Sequence, residues 1–338
     1  MGTSSGSWVS GLLVVAAAAI VCAGLIVGLQ PWLKRYALAR PNARSSHKEP
    51  TPQGGGIAVV AATVLVAAIA IGIRTPELAV LSSVLAATFL IAVLGAVDDI
   101  RPLDVGPRLV LQTVAVCAII VALPAELRIV PVLPWWIERT LLVLGGLWFV
   151  NLVNFMDGID WMTVAEAVPI SAGVVLLGAA SGMPAPALVV ALALLGALIG
   201  FAPFNRPVAK LFLGDVGSLP IGLLLGWLLV LLAGRGHLAA ALLLPLYYLA
   251  DATITLGQRL ANGERVWEAH RSHFYQRATT RGFTVLEIVA RVFAVNVALV
   301  ALAAATVWWT TGFASLAMVA LGCALVGWLL WSFARGRT

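Results

Sequence analysis

In the stretch NLVNFMDGID, residues 151 to 160, two amides and two carboxylates recur at every third position: Asn151, Asn154, Asp157 and Asp160. Three-residue spacing brings side chains near one face of a helix, so the pattern predicts a wall of hard oxygen donors. Its surroundings are apolar, with TLLVLGGLWFV before it and AVPISAGVVLLGAA after it. Other acids sit at the edges of similar runs. Asp98 and Asp99 close ATFLIAVLGAV, and Asp215 follows KLFLG and opens a further run. Two adjacent carboxylates at a helix C-terminus meet the negative end of the dipole and repel each other, so they call for a cation. Asp215 could N-cap its own helix, a role that does not exclude ligation. A few carboxylates gathered this way suit Mg²⁺, which keeps water and takes phosphate oxygens in preference to an all-protein cage.

Phosphate-binding groups share the chain with these acids. PNARSSHKEPTPQGGG combines bases, prolines and a glycine triplet, whose N–H groups could approach an anion at a helix N-terminus. The segment GQRLANGERVWEAHRSHFYQRATTRGFT holds His270, Arg271 and His273, and the two histidines are three residues apart. Asp104, Glu264, Glu49 and Glu268 fit a solvated surface. Acids for Mg²⁺, bases for phosphates and apolar runs between them point to phosphoryl chemistry at a membrane interface.

The elements that must position these groups are membrane helices. The chain is 338 residues long, 61 % hydrophobic and 11 % charged, with a mean hydropathy of +1.02. Runs near 20 apolar residues are long enough to cross a bilayer as helices. About eleven are legible, at 8–30, 54–73, 79–97, 109–124, 139–154, 164–181, 185–203, 216–233, 238–257, 286–307 and 313–333. With short connections between them, residues 1–338 are expected to form a single polytopic all-α domain. The leader MGTSSGS carries no positive charge, which predicts a retained first helix. Cys22, Cys117 and Cys323 lie inside apolar runs and read as small hydrophobes. With the N-terminus periplasmic, sixteen Lys and Arg residues fall in inner loops against four outside. That positive-inside bias makes the C-terminus cytoplasmic and puts the acid-bearing helix ends on the cytoplasmic face. No basic domain suited to nucleic acid is present.

The chain resembles the polyprenyl-phosphate N-acetylhexosamine-1-phosphate transferases, which include the phospho-N-acetylmuramoyl-pentapeptide transferases and the enzymes that start O-antigen and common-antigen synthesis. HKEPTPQGGG resembles the first-loop motif, VDDIRPLDVGPRLVLQ the Asp-Asp motif, and NLVNFMDGIDWM the Asn/Asp motif. NRPVAKLFLGDVGSLPIG resembles FxGDxGS, HRSHFYQ the last-loop histidine motif and PLYYLAD the Pro-x-x-x-Asp region. The resemblance implies transfer of a sugar 1-phosphate from a UDP-sugar to a polyprenyl phosphate in the bacterial inner membrane, with release of UMP. It implies Mg²⁺, with Mn²⁺ as a substitute, held by Asp215 with Asn154 and Asp99. It makes Asp98, Asp99, Asp215, His270 and His273 catalytic candidates, with Asp98 the candidate base. Asn151, Asn154, Asp157 and Asp160 become the nucleotide-sugar wall, Phe212 a ring to stack on uracil, and Lys48, Arg271 and the two histidines diphosphate contacts. A homodimer is compatible with it. Three departures stand out: HRSH keeps only His270 and His273 of three adjacent histidines, Trp161 replaces a glycine after DGID, and Gln53 replaces an arginine. They argue against a muramoyl-pentapeptide; AHRSHFYQR resembles the branch that acts on UDP-N-acetyl-6-deoxyhexosamines, with UDP-GlcNAc open.

The rival class is an ion-coupled transporter, whose coupling acids lie near the midplane at broken, repeated helices. Here no repeat is visible and the acids cluster at one rim. Asp251, eight residues before Arg259 and so roughly 12 Å inward, is the exception.

Overall fold

A computed structural model describes residues 4–39, 50–72, 78–267, 270–309 and 311–337. Within them the chain is all-α apart from a two-residue pair, β1 (Leu38–Ala39) and β2 (Thr51–Pro52), joined antiparallel. The helices are α1 (Ser4–Tyr36), α2 (Gly55–Ile71), α3 (Leu78–Ile100), α4 (Val105–Ala122), α5 (Trp135–Met156), α6 (Met162–Ala180) and α7 (Ala185–Phe201). After a 3₁₀ turn at Ala202–Phe204 come α8 (Asp215–Gly234), α9 (Leu238–Leu243), α10 (Leu246–Ala261), α11 (Phe274–Thr280), α12 (Val285–Trp308) and α13 (Gly312–Arg335).

Nine of the described helices are long and apolar enough to cross a membrane, and α2, at 17 residues, is a shorter apolar helix. The run at 238–257, expected as one helix, is two. α9 stops at Leu243 and α10 starts at Leu246, because Pro245 between them has no N–H to continue the ladder. Large apolar side chains lie exposed along α1, α12 and α13, including Leu12, Ile20, Phe293 and Leu321. Such a surface is stable only in lipid, where the backbone polar groups are satisfied within each helix. Exposed Trp32, Tyr36 and Trp331 mark one rim, and Trp135, Trp136 and Trp308 the other, as aromatic residues do at bilayer interfaces.

The bundle is built around α8, which is buried over almost its whole length and packs against α3, α5, α2, α6 and α9. Glycine permits the closest of these approaches. A Cβ on Gly56 would lie 2.2 Å from Gly217 Cα, and one on Gly95 would lie 2.3 Å from Asp215 O. The glycine triplet therefore serves helix packing. Its N–H groups are taken, since Gly54 and Gly55 donate to Phe212 O at 3.2 and 2.9 Å, and Gly56 donates to Leu213 O at 2.8 Å. The expected anion cradle is a helix–loop seam. Cys22 is buried, whereas Cys323 is exposed on the apolar surface.

Candidate active site

The C-terminus of α3 meets the N-terminus of α8, and Gly95 makes the meeting close enough for side chains to bridge it. Asp99 Oδ1 accepts from Asp215 N at 2.8 Å, and Oδ2 accepts from Val216 N at 3.1 Å. Gln53 Nε2 donates to Asp99 as well. Asp99 thus caps a helix 116 residues away in sequence, and the positive end of the α8 dipole offsets its charge. Asp98 is answered differently. Its Oδ1 accepts from Leu103 N at 2.6 Å, and Oδ2 pairs with Arg108 at 3.1 Å. The cation expected for this pair is therefore in part the protein's own.

Asp215 is the first residue of α8, and its N-cap is Gly214, at φ 78° with no side-chain cap. The capping role open to Asp215 falls to Asp99. Asp215 Oδ1 accepts from Asn154 Nδ2 at 2.8 Å, and the same amide donates to Ser218 Oγ at 2.9 Å. The Asp98 carboxyl stands within side-chain hydrogen-bond reach of this carboxylate, and Asp98 and Asp99 are its charged neighbours.

Helix α5 ends at Met156, so the Asn/Asp stretch does not lie on one helical face. Asn151 is buried and donates to Gln112 Oε1 at 2.8 Å, tying α5 to α4. Asp157 and Asp160 stand in the loop beyond the helix. Asp157 accepts from Thr163. Burial pushes its carboxyl up to about 7; the Thr163 bond opposes the rise, and Asp99 and Asp160 add to it. Asp160 Oδ2 accepts from Ala209 N at 3.0 Å. Asn205 Oδ1 accepts from Trp161 N at 2.8 Å, and its amide donates to Leu211 O at 3.0 Å. Together these bonds lash the 157–161 loop to the 205–214 loop. Trp161 has φ 63°, a left-handed conformation that glycine takes without strain, and its indole N–H donates to Ala202 O at 2.6 Å. Phe212, half-buried, forms a parallel bridge with Gln53 and donates from its N to Pro52 O at 2.8 Å.

The last loop closes the site from a further side. Tyr275 OH donates to Phe155 O at 3.1 Å and occupies the space a Cβ on Gly158 would need. Ser272 engages His270 Nδ1 at 2.8 Å. Burial, then His273 and Arg259, push the His270 imidazole down to about 4, so at neutral pH it is a neutral donor through Nε2. His273 is buried and its Nδ1 pairs with Asp251 at 3.2 Å. Asp251 also accepts from Phe274 N at 3.0 Å and Tyr275 N at 3.2 Å, capping α11. The midplane acid therefore holds the last loop in place. Glu166 is buried between Asn296 Nδ2 at 2.5 Å and Tyr248 N at 3.3 Å. Lys48 lies outside the described residues.

The structure thus brings Asp98, Asp99, Asn154, Asp157, Asp160, Phe212 and Asp215 to one rim, with His270 and Arg271 on the adjoining loop; His273 packs on the His270 ring at 4.8 Å with its own Nδ1 turned to Asp251, and the Asn151 amide is taken by Gln112. Sequence reading missed Gln53 as the partner of Asp99, and it missed Thr163, Asn205 and Tyr275. Only Asn205 carried a signal, a polar residue heading a motif. Among the described residues no three His, Cys, Asp or Glu side chains form a ready metal cage. The Asp215 carboxylate beside Asp98 still fits a hard cation that keeps most of its ligands from water and phosphate.

Comparison with known proteins follows the same segments. The sequence pattern described as "Glycosyl transferase family 4" matches residues 81–233, the span from α3 through α8. A probable undecaprenyl-phosphate N-acetylglucosaminyl 1-phosphate transferase of Bacillus subtilis is 26 % identical over 313 residues, 87 % of this chain and 86 % of the relative. A phospho-N-acetylmuramoyl-pentapeptide-transferase of Shouchella clausii is 32 % identical over 234 residues, 62 % of this chain and 70 % of the relative. The chain belongs to glycosyl transferase family 4. In this family 4 chain the matched span, residues 81–233, carries Asp98, Asp99, Asn154 and Asp215. A decaprenyl-phosphate N-acetylglucosaminephosphotransferase of Mycolicibacterium smegmatis is 30 % identical over 216 residues, covering 56 % of this chain and 52 % of the relative.

Proposed function

We propose that this chain transfers a sugar 1-phosphate from a UDP-sugar to a polyprenyl phosphate of the undecaprenyl type, releasing UMP, at the cytoplasmic face of the bacterial inner membrane. The product would begin a lipid-linked glycan such as O-antigen, capsule or cell-wall polysaccharide. Membership of family 4 supports the reaction class, as do relatives named for prenyl phosphates and N-acetylhexosamines. The observation that carries the reading is the Asp215 carboxylate, with one oxygen held by Asn154 and the Asp98 carboxyl beside it. It stands at a membrane rim between the Asp98–Asp99 pair and the 157–161 loop.

In the proposed reaction an oxygen of the lipid phosphate attacks the β-phosphorus, forming a P–O bond. The bond from that phosphorus to the bridging oxygen breaks, and UMP leaves with the electron pair. Mg²⁺, or Mn²⁺ in its place, would offset the negative charge gathered there. Asp215 would hold it, with Asp98 and Asn154 alongside, while Asp99 keeps the start of α8 in position. The lipid phosphate is largely ionised near neutral pH, so positioning outweighs proton removal and Asp98 has little work as a base. Asp157, Asp160 and Phe212 would hold the nucleotide-sugar, and Arg271 and the Nε2–H of His270 the diphosphate. Trp161, fixed to Ala202 O, would shape the sugar edge of the pocket. Eleven crossings follow if α2 is the short second span and α9 with α10 a broken ninth.

Purified protein supplied with polyprenyl phosphate and a panel of UDP-sugars tests the assignment, read by mass spectrometry of the lipid. The expected product is a polyprenyl diphosphate carrying an N-acetylhexosamine or its 6-deoxy form. A muramoyl-pentapeptide product, or no product from any UDP-sugar, would contradict the proposal.

A further inference from the structure

At the site-face ends of α11, α12 and α13, two arginines converge on one ring and a third lies beside them. The Arg291 guanidinium lies 4.8 Å from the centre of the Phe283 ring, and that of Arg337 lies 5.7 Å from it. Arg281 is beside them, since Arg337 N donates to Arg281 O at 3.0 Å. Glu287 is the one carboxylate bonded to any of the three among the described residues, and it pairs with Arg337 at 2.8 Å. Among the described residues, three guanidinium groups therefore stand against a single acid.

Arg291 is the most telling of the three. It lies inside the Val285–Trp308 span, roughly 9 Å from the helix start at 1.5 Å per residue, and its side-chain hydrogen bond is to Ser332 Oγ at 3.4 Å. An arginine inside a membrane helix is retained where a partner or ligand answers it. The neighbouring surface of α13 is apolar: Trp328, one turn before Ser332, and Trp331 are exposed large side chains. A ligand reaching Arg291 there must be anionic at its head and apolar below it.

We propose that this cluster binds the headgroup phosphate of an anionic phospholipid of the surrounding leaflet. The bound lipid clamps the C-terminal end of α11. The opposite end of that helix carries Tyr275, whose hydroxyl holds Phe155 O at the active-site loop. The site is thus a separate lipid contact that steadies one wall of the catalytic rim, and Arg281, Arg291 and Arg337 act as positioning residues through it.

The test uses the full chain in uncharged detergent, titrated with phosphatidylglycerol or with phosphatidylcholine of the same acyl chains. Native mass spectrometry reads retained lipid and thermal unfolding reads Tm. Phosphatidylglycerol is expected to remain bound and raise Tm, and phosphatidylcholine to do neither. The double variant Arg281→Gln/Arg291→Gln should lose at least tenfold in apparent affinity. Arg337→Gln, an exposed change that spares the core, should lose affinity in the same direction, and Arg235→Gln at the other rim should lose none. Equal binding of the two lipids, or full retention of phosphatidylglycerol by both cluster variants, overturns the proposal. A Tm rise reproduced by millimolar inorganic phosphate without lipid overturns it too, by showing an ion site.

Discussion

Both carboxylate oxygens of Asp99 are engaged by the first two amides of α8 and by Gln53, while the Asp215 carboxylate takes Asn154 and stands beside the Asp98 carboxyl. These two acids should therefore fail in different ways. Asp99→Asn removes the charge from a cap, a bond class worth about 1.5–3 kcal/mol, so thermal unfolding should show a clear loss of stability along with lower turnover. Asp215→Asn leaves the cap at Gly214 intact, so Tm should hold. If the charge at this position supplies about 4 kcal/mol of transition-state stabilisation, its rate should fall by roughly 10³. Asp104→Asn, an exposed loop acid, is the matched control and should be silent in both assays. Asp157 adds a pH signature. With its carboxyl pushed up to about 7, the hydrogen-bond-accepting carboxylate form fills as pH rises through that value, so kcat/KM should climb there. Thr163→Val removes the hydroxyl that opposes the rise and should move the climb upward by about one pH unit, since one unit is about 1.4 kcal/mol. An unshifted profile would take Asp157 out of substrate binding. The acids were legible in the sequence because an ionisable group at the end of an apolar run is expensive. Their partners were not, since a contact such as Asp99 with Val216 spans 117 residues and leaves no local pattern.

At the scale of elements, glycine decides how closely α2 and α3 approach α8. A methyl on Gly56 would meet Gly217 backbone at 2.2 Å, and backbone cannot yield as a side chain can. Gly56→Ala should cost at least the ~1–3 kcal/mol of an overpacked core, read as a lower Tm in detergent. Gly106→Ala, with nothing within 4 Å of the added carbon, should leave Tm unchanged or slightly raised. Wild-type stability in Gly56→Ala would contradict the close packing. The helices themselves were readable from apolar run length. What run length could not show was an interruption inside an unbroken apolar run: Pro245 divides the ninth run, although the hydrophobic pattern passes straight over it. Three-residue spacing likewise described Asn151 and Asn154 only as far as Met156, where α5 ends and the chain turns. Beyond that point Asp157 and Asp160 reach the rim as loop residues. Asn151 instead answers buried Gln112 on α4, a need that only the assembled bundle creates.

For the molecule as a whole, the sorting of arginine and lysine predicts that Arg281 faces the cytoplasm and Arg235 the outside. Single cysteines at these positions, in a chain with Cys22, Cys117 and Cys323 replaced, should react differently with a membrane-impermeant thiol reagent on intact cells. Labelling is expected at 235 and not at 281, and the reverse pattern would invert the topology. A hydropathy of +1.02 made a polytopic membrane protein legible from the sequence. The gathering of distant motifs at one rim became visible only once α3, α5 and α8 were packed. Lipid-phosphate-dependent release of UMP is the most direct measurement of what that rim does. Purified protein given a UDP-sugar substrate and Mg²⁺ should release UMP only when polyprenyl phosphate is added. EDTA should abolish the release, added Mg²⁺ or Mn²⁺ should restore it, and Asp215→Asn should lower it by roughly 10³ at saturating metal. UMP release that persists in metal-free buffer, or that Asp215→Asn leaves intact, would contradict the assignment of this site.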